Sequence, residues 1–304
     1  MTPPAFRCSL AARQRGDAAV ASAPPARRFV LLEVPGPWAV ADVFAASGLS
    51  PEAVDTVRHH AGAAGARVLL IRRPGRHPAR ESGQSRSWAV VELGDPGGVQ
   101  WGTWTSEGDL TALDAALVTR GEPADRPLAL VCTHGRHDVC CAVEGRPVAM
   151  QAAQDPRFDV WECSHLGGDR FAANLLLLPS GLLYGGLTAS TVHEVLSAAH
   201  AGRVLLTPFR GRCGDPHAVQ AVQWHALDQL GEDRPDRVVI ELIEPSRRIR
   251  AVVRHNERQY AVELAWEWSP PSRLTCHAPG TGRVRLPRLV SWRDLGSPAL
   301  APGR

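Results

Sequence analysis

The 304 residues carry 34 basic side chains against 31 acidic ones, and 44% are hydrophobic, the balance of a folded globular protein. Every basic residue is arginine, so the net charge of +3 and clusters such as Arg247, Arg248 and Arg250 read as compositional bias, and nucleic-acid binding is not expected. Apolar runs such as Leu175–Leu178 fall far short of the ~20 residues a membrane span needs. The first residues hold no uninterrupted apolar segment ahead of a cleavage site, so the expected compartment is the cytoplasm, where thiols stay reduced. Seven cysteines in that setting point to metal or redox chemistry over a disulfide framework.

Residues 1–26 are rich in Ala, Arg and Pro and read as a flexible N-terminus. An N-terminal α/β part follows over 27–126. Arg28–Val34 is a buried strand stopped by Pro35-Gly36-Pro37. Pro51–Ala64 is a helix with Ser50 as its N-cap and proline at its first position. Val68–Ile71 and Ser87–Leu93 are strands flanking a polar loop over Arg72–Gln84, and Asp109–Val118 is a second helix before a linker at Gly121–Arg126.

The central segment, 127–209, begins with the continuous apolar strand Leu128–Cys132. Arg146–Gln154 has helical composition, Phe158–Cys163 is strand-like, and Gly167–Ala173 forms a turn or short helix. Leu175–Leu178 and Leu182–Tyr184 make a hairpin around Pro179-Ser180-Gly181, and Ser190–His200 closes the unit as an amphipathic helix. The order β-α-β-(α)-β-β-α is that of a thioredoxin-like core. The N-terminal part has a loosely similar order, but matching residues are lacking. Residues 210–304 read as a small α+β unit and tail. Its helix runs from an Asp215 cap to about Leu230, and its strands are Arg237–Ile243, Arg248–Arg254 and Gln259–Ala265.

Four of the seven cysteines crowd into one window: Cys132, Cys140, Cys141 and Cys163, with His165 two residues beyond the last. A [2Fe-2S] cluster needs four protein ligands, two for each iron, drawn from thiolates or from a Cys/His mixture. Cys132 at a strand end and Cys141 on the loop after it can supply one half. Cys163 and His165, two apart on a strand, point to one face and can supply the other. Gly167 and Gly168 let the backbone approach closely, and Arg170 stands ready to offset negative charge. His134 and His137 read as loop groups, Cys140 as turned away from the site, and the isolated Cys8, Cys213 and Cys276 as core thiols.

Cys132-x8-Cys141, then Ser164-His165-Leu-Gly-Gly-Asp169-Arg-Phe-Ala, then Leu-Leu-Pro-Ser-Gly-Leu-Leu-Tyr-Gly together resemble the sucrase/ferredoxin-like family of thioredoxin-like [2Fe-2S] proteins. The resemblance covers about Cys132–Gly186 and implies ligand roles for Cys132, Cys141 and His165. Members that this chain resembles carry His-x3-His, whereas the second position here is Asp169. The fourth ligand is then Cys163, or Asp169 as a harder carboxylate, or is lacking. A glycosidase would need two positioned carboxylates, and no convincing pair stands out. The expectation is a single-electron carrier that docks a redox partner protein. A structural Cys3His zinc module on the same residues is an alternative. A thiol-disulfide oxidoreductase is another, although Cys-x-x-Cys is missing.

Overall fold

The computed structural model describes residues 5–75, 84–94, 97–119 and 121–297. Nine strands form one mixed sheet: β1 (Arg28–Glu33), β2 (Ala66–Arg72), β3 (Arg86–Glu92), β4 (Gly98–Trp104), β5 (Leu128–Cys132), β6 (Asp159–Cys163), β7 (Leu175–Leu178), β8 (Leu182–Tyr184) and β9 (Phe209–Arg212). Their spatial order is β4-β3-β1-β2-β6-β5-β7-β8-β9. The helices are α1 (Cys8–Arg15), α2 (Pro51–Ala63), α3 (Ala112–Val118), α4 (Val139–Ala152), α5 (Val192–His200) and α6 (His217–Leu230).

The expected thioredoxin-like arrangement is present in the central segment. β5 and β6 are parallel and joined through α4, β7 lies antiparallel to β5, β8 antiparallel to β7, and α5 follows. The same plan occurs a second time. β1 and β2 are parallel and joined through α2, β3 lies antiparallel to β1, β4 antiparallel to β3, and α3 follows. The equivalent edges β2 and β6 meet antiparallel at Ile71–Cys163 and Arg72–Glu162, so the two blocks are related by an approximate two-fold through that seam.

β5 is buried along its whole length, as the run Leu-Ala-Leu-Val-Cys demands of a strand covered on both faces. Leu128, Leu130 and Cys132 enter one apolar cluster with Phe29, Leu69 and Trp161, while Ala129 and Val131 enter another with α4, α5 and α6. The second sheet, β10 (Val238–Pro245), β11 (Arg248–His255), β12 (Arg258–Trp268) and β13 (Arg285–Gly296), is an antiparallel meander. It contributes Ile249, Val253 and Leu264 to the latter cluster, on which α6 also packs.

Several local expectations differ from this structure. The N-terminal segment is not loose throughout: α1 forms, and Cys8 within it is fully buried. α4 starts seven residues before the expected Arg146, so Cys141 sits in a helical first turn instead of a loop. β4, β9 and β13 were not foreseen. Pro216, not Asp215, precedes the first residue of α6. Most of the expected Arg72–Gln84 loop lies outside the described residues.

Candidate metal centre

The site is built where β5 hands over to α4. The chain leaves Cys132, turns through Thr133–His137, and re-enters regular structure at Asp138, whose carboxylate accepts the Cys140 N–H at 2.9 Å and caps α4. That cap places Cys141 in the first helical turn, its own N–H bonded to the Asp138 carbonyl at 3.0 Å. Gly145, one turn on, is required by packing. A Cβ there would lie 2.2 Å from the Cys132 carbonyl oxygen, so only glycine lets helix and strand approach this closely.

The second loop follows β6. Because β6 ends at Cys163, His165 lies beyond the strand, and the two-residue periodicity that would align it with Cys163 does not apply. Gly167 and Gly168 adopt φ of +96° and +79° and lead into a single 3-10 turn beginning at Asp169. Their smallness serves other contacts than a metal. A Cβ on Gly168 would meet the Arg210 guanidinium at 2.5 Å, and one on Gly167 would meet Pro24 at 2.9 Å.

Cys132, Cys141 and His165 converge, with donor atoms within 4.8 Å of one another. A second group within the same limit contains His137, His165 and Asp169. The Cys141 thiol donates to Asp169 Oδ1 at 3.2 Å, and His165 Nδ1 lies 3.1 Å from that oxygen. That nitrogen is buried and close to Asp169 yet lacks an aligned hydrogen bond. The His137 and His165 rings stack at 3.7 Å, and His137 Nε2 lies 3.7 Å from Asp169 Oδ2. Cys163 is buried beside Cys132, its register partner across β5 and β6, but belongs to neither donor group.

Electrostatics divide the group into unlike members. The contact with Cys141 outweighs burial and, with His165 close by, holds the Cys132 thiol well below its ordinary pKa. The same contact, together with burial, pushes Cys141 up. Burial works against charge on His165, but the neighbouring Asp169 carboxylate and Cys132 outweigh it and raise the imidazole to about 9. Burial likewise opposes ionisation of Asp169, and His165 reverses the balance and lowers its pKa. Cys163 is pushed well above the ordinary thiol range by burial.

Arg170 points away from this group. It lies over the Phe171 ring with its guanidinium carbon 4.2 Å from the centroid, and its Nε is 3.5 Å from Asp17. The cation behind the loop is Arg210, fully buried and unmarked by any motif. It donates to Gly167 O at 2.8 Å and to Asn174 Oδ1 at 2.7 Å, and burial lowers its pKa to about 10. His137 was also missed as a member of the site. Its position four residues before Cys141 was the available signal.

A sequence model of the sucrase/ferredoxin-like family matches residues 21–211. The chain belongs to this family. The matched span contains both thioredoxin-like blocks and every residue of the two donor groups, whereas α1, the whole of α6 and the second sheet lie beyond it. Among solved structures, a thioredoxin-like [2Fe-2S] ferredoxin from Aquifex aeolicus is similar, with a TM-score of 0.27 at 16% identity over 31% of this chain and 97% of that one. No curated protein matches the chain. For this sucrase/ferredoxin-like chain, the arrangement of thiols, imidazoles and a carboxylate is a potential metal site.

Proposed function

We propose that this protein is a single-electron carrier that holds a [2Fe-2S] cluster through Cys132, Cys141, His165 and Asp169. The observation that carries the reading is the overlap of the two donor groups at His165. Five donors in two overlapping groups suit a two-iron core, which needs two ligands on each iron. The orphaned Nδ1 of His165 is a ring nitrogen that can serve as a ligand once its proton is released. Asp169 is preferred to Cys163 as the fourth ligand because it contacts Cys141 and His165 directly, whereas Cys163 joins neither group.

When bound, the cluster accepts and returns one electron. The chain's own part is to hold the donors and govern access. Arg67 donates to the His165 carbonyl at 2.6 Å and fixes the second loop. The thiols are buried, while the side chains of His137 and His165 stay 31% and 28% exposed and open onto a groove of about 420 Å³ lined by Val40, Phe44 and Arg58. A redox partner protein docking over that groove would meet the imidazole edge of the site.

Anaerobic purification followed by optical and electron paramagnetic resonance spectra tests the reading. A reddish-brown protein whose reduced-state signal is lost in Asp169→Ala and retained in Cys163→Ala supports it. Colourless, zinc-loaded protein with zinc bound at Cys132 and Cys141 overturns it.

A further inference from the structure

A second set of soft donors lies on the other side of the first turn of α4. Cys140 and Cys141 are adjacent in the chain, and Cys141 alone of the two faces Cys132. Cys140 meets Cys8, the first residue of α1, and Cys276, which lies in the connection between β12 and β13. One donor atom from each of Cys8, Asp138, Cys140 and Cys276 lies within 4.8 Å of the other three. Cys140 Sγ is 3.4 Å from Cys276 Sγ, and Cys8 Sγ is 3.5 Å from Asp138 Oδ2. Cys8, Asp138 and Cys140 are fully buried, and Cys276 is partly so.

Three features set this group apart from thiols that merely fill space, such as the isolated and buried Cys213. The first is size. Bonds of about 2.3 Å around a tetrahedral zinc place thiolate sulfurs about 3.8 Å apart, close to the spacing of these donors as they stand. All four share one group, unlike the extended set at His165, so they surround a point. The second is Asp138. This carboxylate is buried and contacts the Cys8 thiol and the N–H groups of Cys140 and Cys276, at 2.9 and 2.7 Å, with no cationic side chain paired to it among the described residues. A buried carboxylate without a cation is costly, and a metal ion removes that cost. The third is the set of donors aimed at sulfur. The Cys8 N–H points to Cys276 Sγ at 3.4 Å, and Arg7 Nε points to Cys140 Sγ at 3.3 Å, the outer contacts that orient and stabilise metal-bound thiolates.

We propose that Cys8, Asp138, Cys140 and Cys276 form a structural zinc site that clamps α1 and the β12–β13 connection onto the start of α4. Three thiolates and one carboxylate make a closed tetrahedral set with no open position, the pattern of a structural ion and not of a catalytic one. Binding displaces a proton from each thiol that enters protonated, and no electron is transferred. Cys8 and Cys276 both lie outside the residues that the family model matches. The site therefore belongs to this chain's own additions to the thioredoxin-like pair. It also fixes the helical turn that carries Cys141, so the zinc would hold one wall of the neighbouring metal centre in place.

Elemental analysis of the full-length chain, produced with zinc in the medium, tests this directly. The expected result is one equivalent of zinc that survives Cys132→Ala and Cys141→Ala and is lost in Cys8→Ala and in Cys276→Ala. Loading with cobalt(II) in place of zinc should give intense tetrahedral bands with thiolate charge transfer, abolished by the latter two changes alone. Unaltered protein supplies a control that needs no variant: Cys8 and Cys276 should resist alkylation until a chelator is added. Thiols that alkylate freely without chelator, zinc content unaffected by Cys8→Ala and Cys276→Ala, or a disulfide between Cys140 and Cys276 under reducing purification would each overturn the proposal. The iron signal of the first site is read separately, so either assignment can fail without the other.

Discussion

At the scale of single residues, the proposed function makes Asp169 the group that sets the character of the candidate metal centre. A carboxylate in place of a second imidazole adds one negative charge next to the bound metal and stabilises the oxidised form. Asp169→His removes that charge while keeping a ligand. The reduction potential of the reconstituted protein should rise by on the order of 100 mV or more, given the span between all-cysteine and bis-histidine centres. A redox titration that finds the variant unchanged removes Asp169 from the ligand set. Protons compete for the same atoms. His165, with its pKa raised to about 9 by Asp169 and Cys132 against burial, and Cys141, pushed up by its contact with Cys132 and by burial, must both give up protons when a metal binds there. Uptake should therefore strengthen as pH rises toward about 9 and weaken below it by about tenfold per pH unit for each displaced proton. Competition of the metal-free protein against a chelator over pH 6–9 measures that slope, and a flat profile would show that neither His165 nor Cys141 gives up a proton on binding.

At the scale of elements, the seam between β2 and β6 is short, one apolar pair and one charged pair, and it adjoins the site through Cys163 and Thr133. Arg72 Nε donates to Glu162 Oε2 at 2.7 Å, Thr133 Oγ1 donates to the same oxygen at 2.9 Å, and the Arg72 and Glu162 side chains are only 11% and 4% exposed. Removing one partner leaves the other charge buried alone. Arg72→Ala should cost about 3–5 kcal/mol of unfolding free energy, and Arg72→Met with Glu162→Leu should recover much of that loss, as read from urea unfolding midpoints. The elements on either side of this seam were largely legible in the chain. Ser50-Pro51 announces α2, and the Ser50 hydroxyl indeed accepts the Ala53 N–H at 3.2 Å. The run Leu128–Cys132 and the hairpin at Pro179-Ser180-Gly181 announce the central block. What hid the rest has physical reasons. β4 reads as glycine-broken, yet Gly102 is there because the Trp88 ring lies on it: a Cβ would fall 2.1 Å from a ring carbon. Gly145 and Pro147 look like helix breakers, although Gly145 serves the contact with Cys132 and α4 runs through both. Cys8, Cys140 and Cys276 share no local pattern, and 268 residues separate the first from the last, so only the folded chain brings them together.

At the scale of the whole molecule, one duplicated plan has been put to two uses. Between β5, which ends at Cys132, and α4 the second block carries His134 and His137, while the corresponding stretch of the first block, Val34–Ser50, contains neither cysteine nor histidine. It supplies a wall instead: the Trp38 carbonyl meets His134 Nε2 at 3.2 Å, and the Arg72 guanidinium lies over the Trp38 ring with its carbon 4.5 Å from the centroid. On the opposite flank, α6 links the large sheet to the small one. His225 on α6 reaches the Pro287 carbonyl on β13 at 3.4 Å, and burial lowers its pKa despite that contact. Burial lowers the pKa of His134 in the same way. Both rings are thus held neutral in the fold and take up protons more readily in the unfolded chain. Stability from this source is fully present above the unfolded histidine pKa of about 6.5 and is lost as pH falls through that value. His165, raised to about 9, acts in the opposite sense and loses stability as pH rises from about 6.5 toward 9. The two buried rings are therefore read on the acid side, where the part of the unfolding midpoint that they supply should fall as pH drops below about 6.5. In His225→Gln, which keeps a donor for the Pro287 carbonyl but cannot be protonated, that fall should be shallower. An unchanged slope in the variant would mean that α6 and β13 do not hold His225 away from water, and that the joint between the two sheets is open in solution.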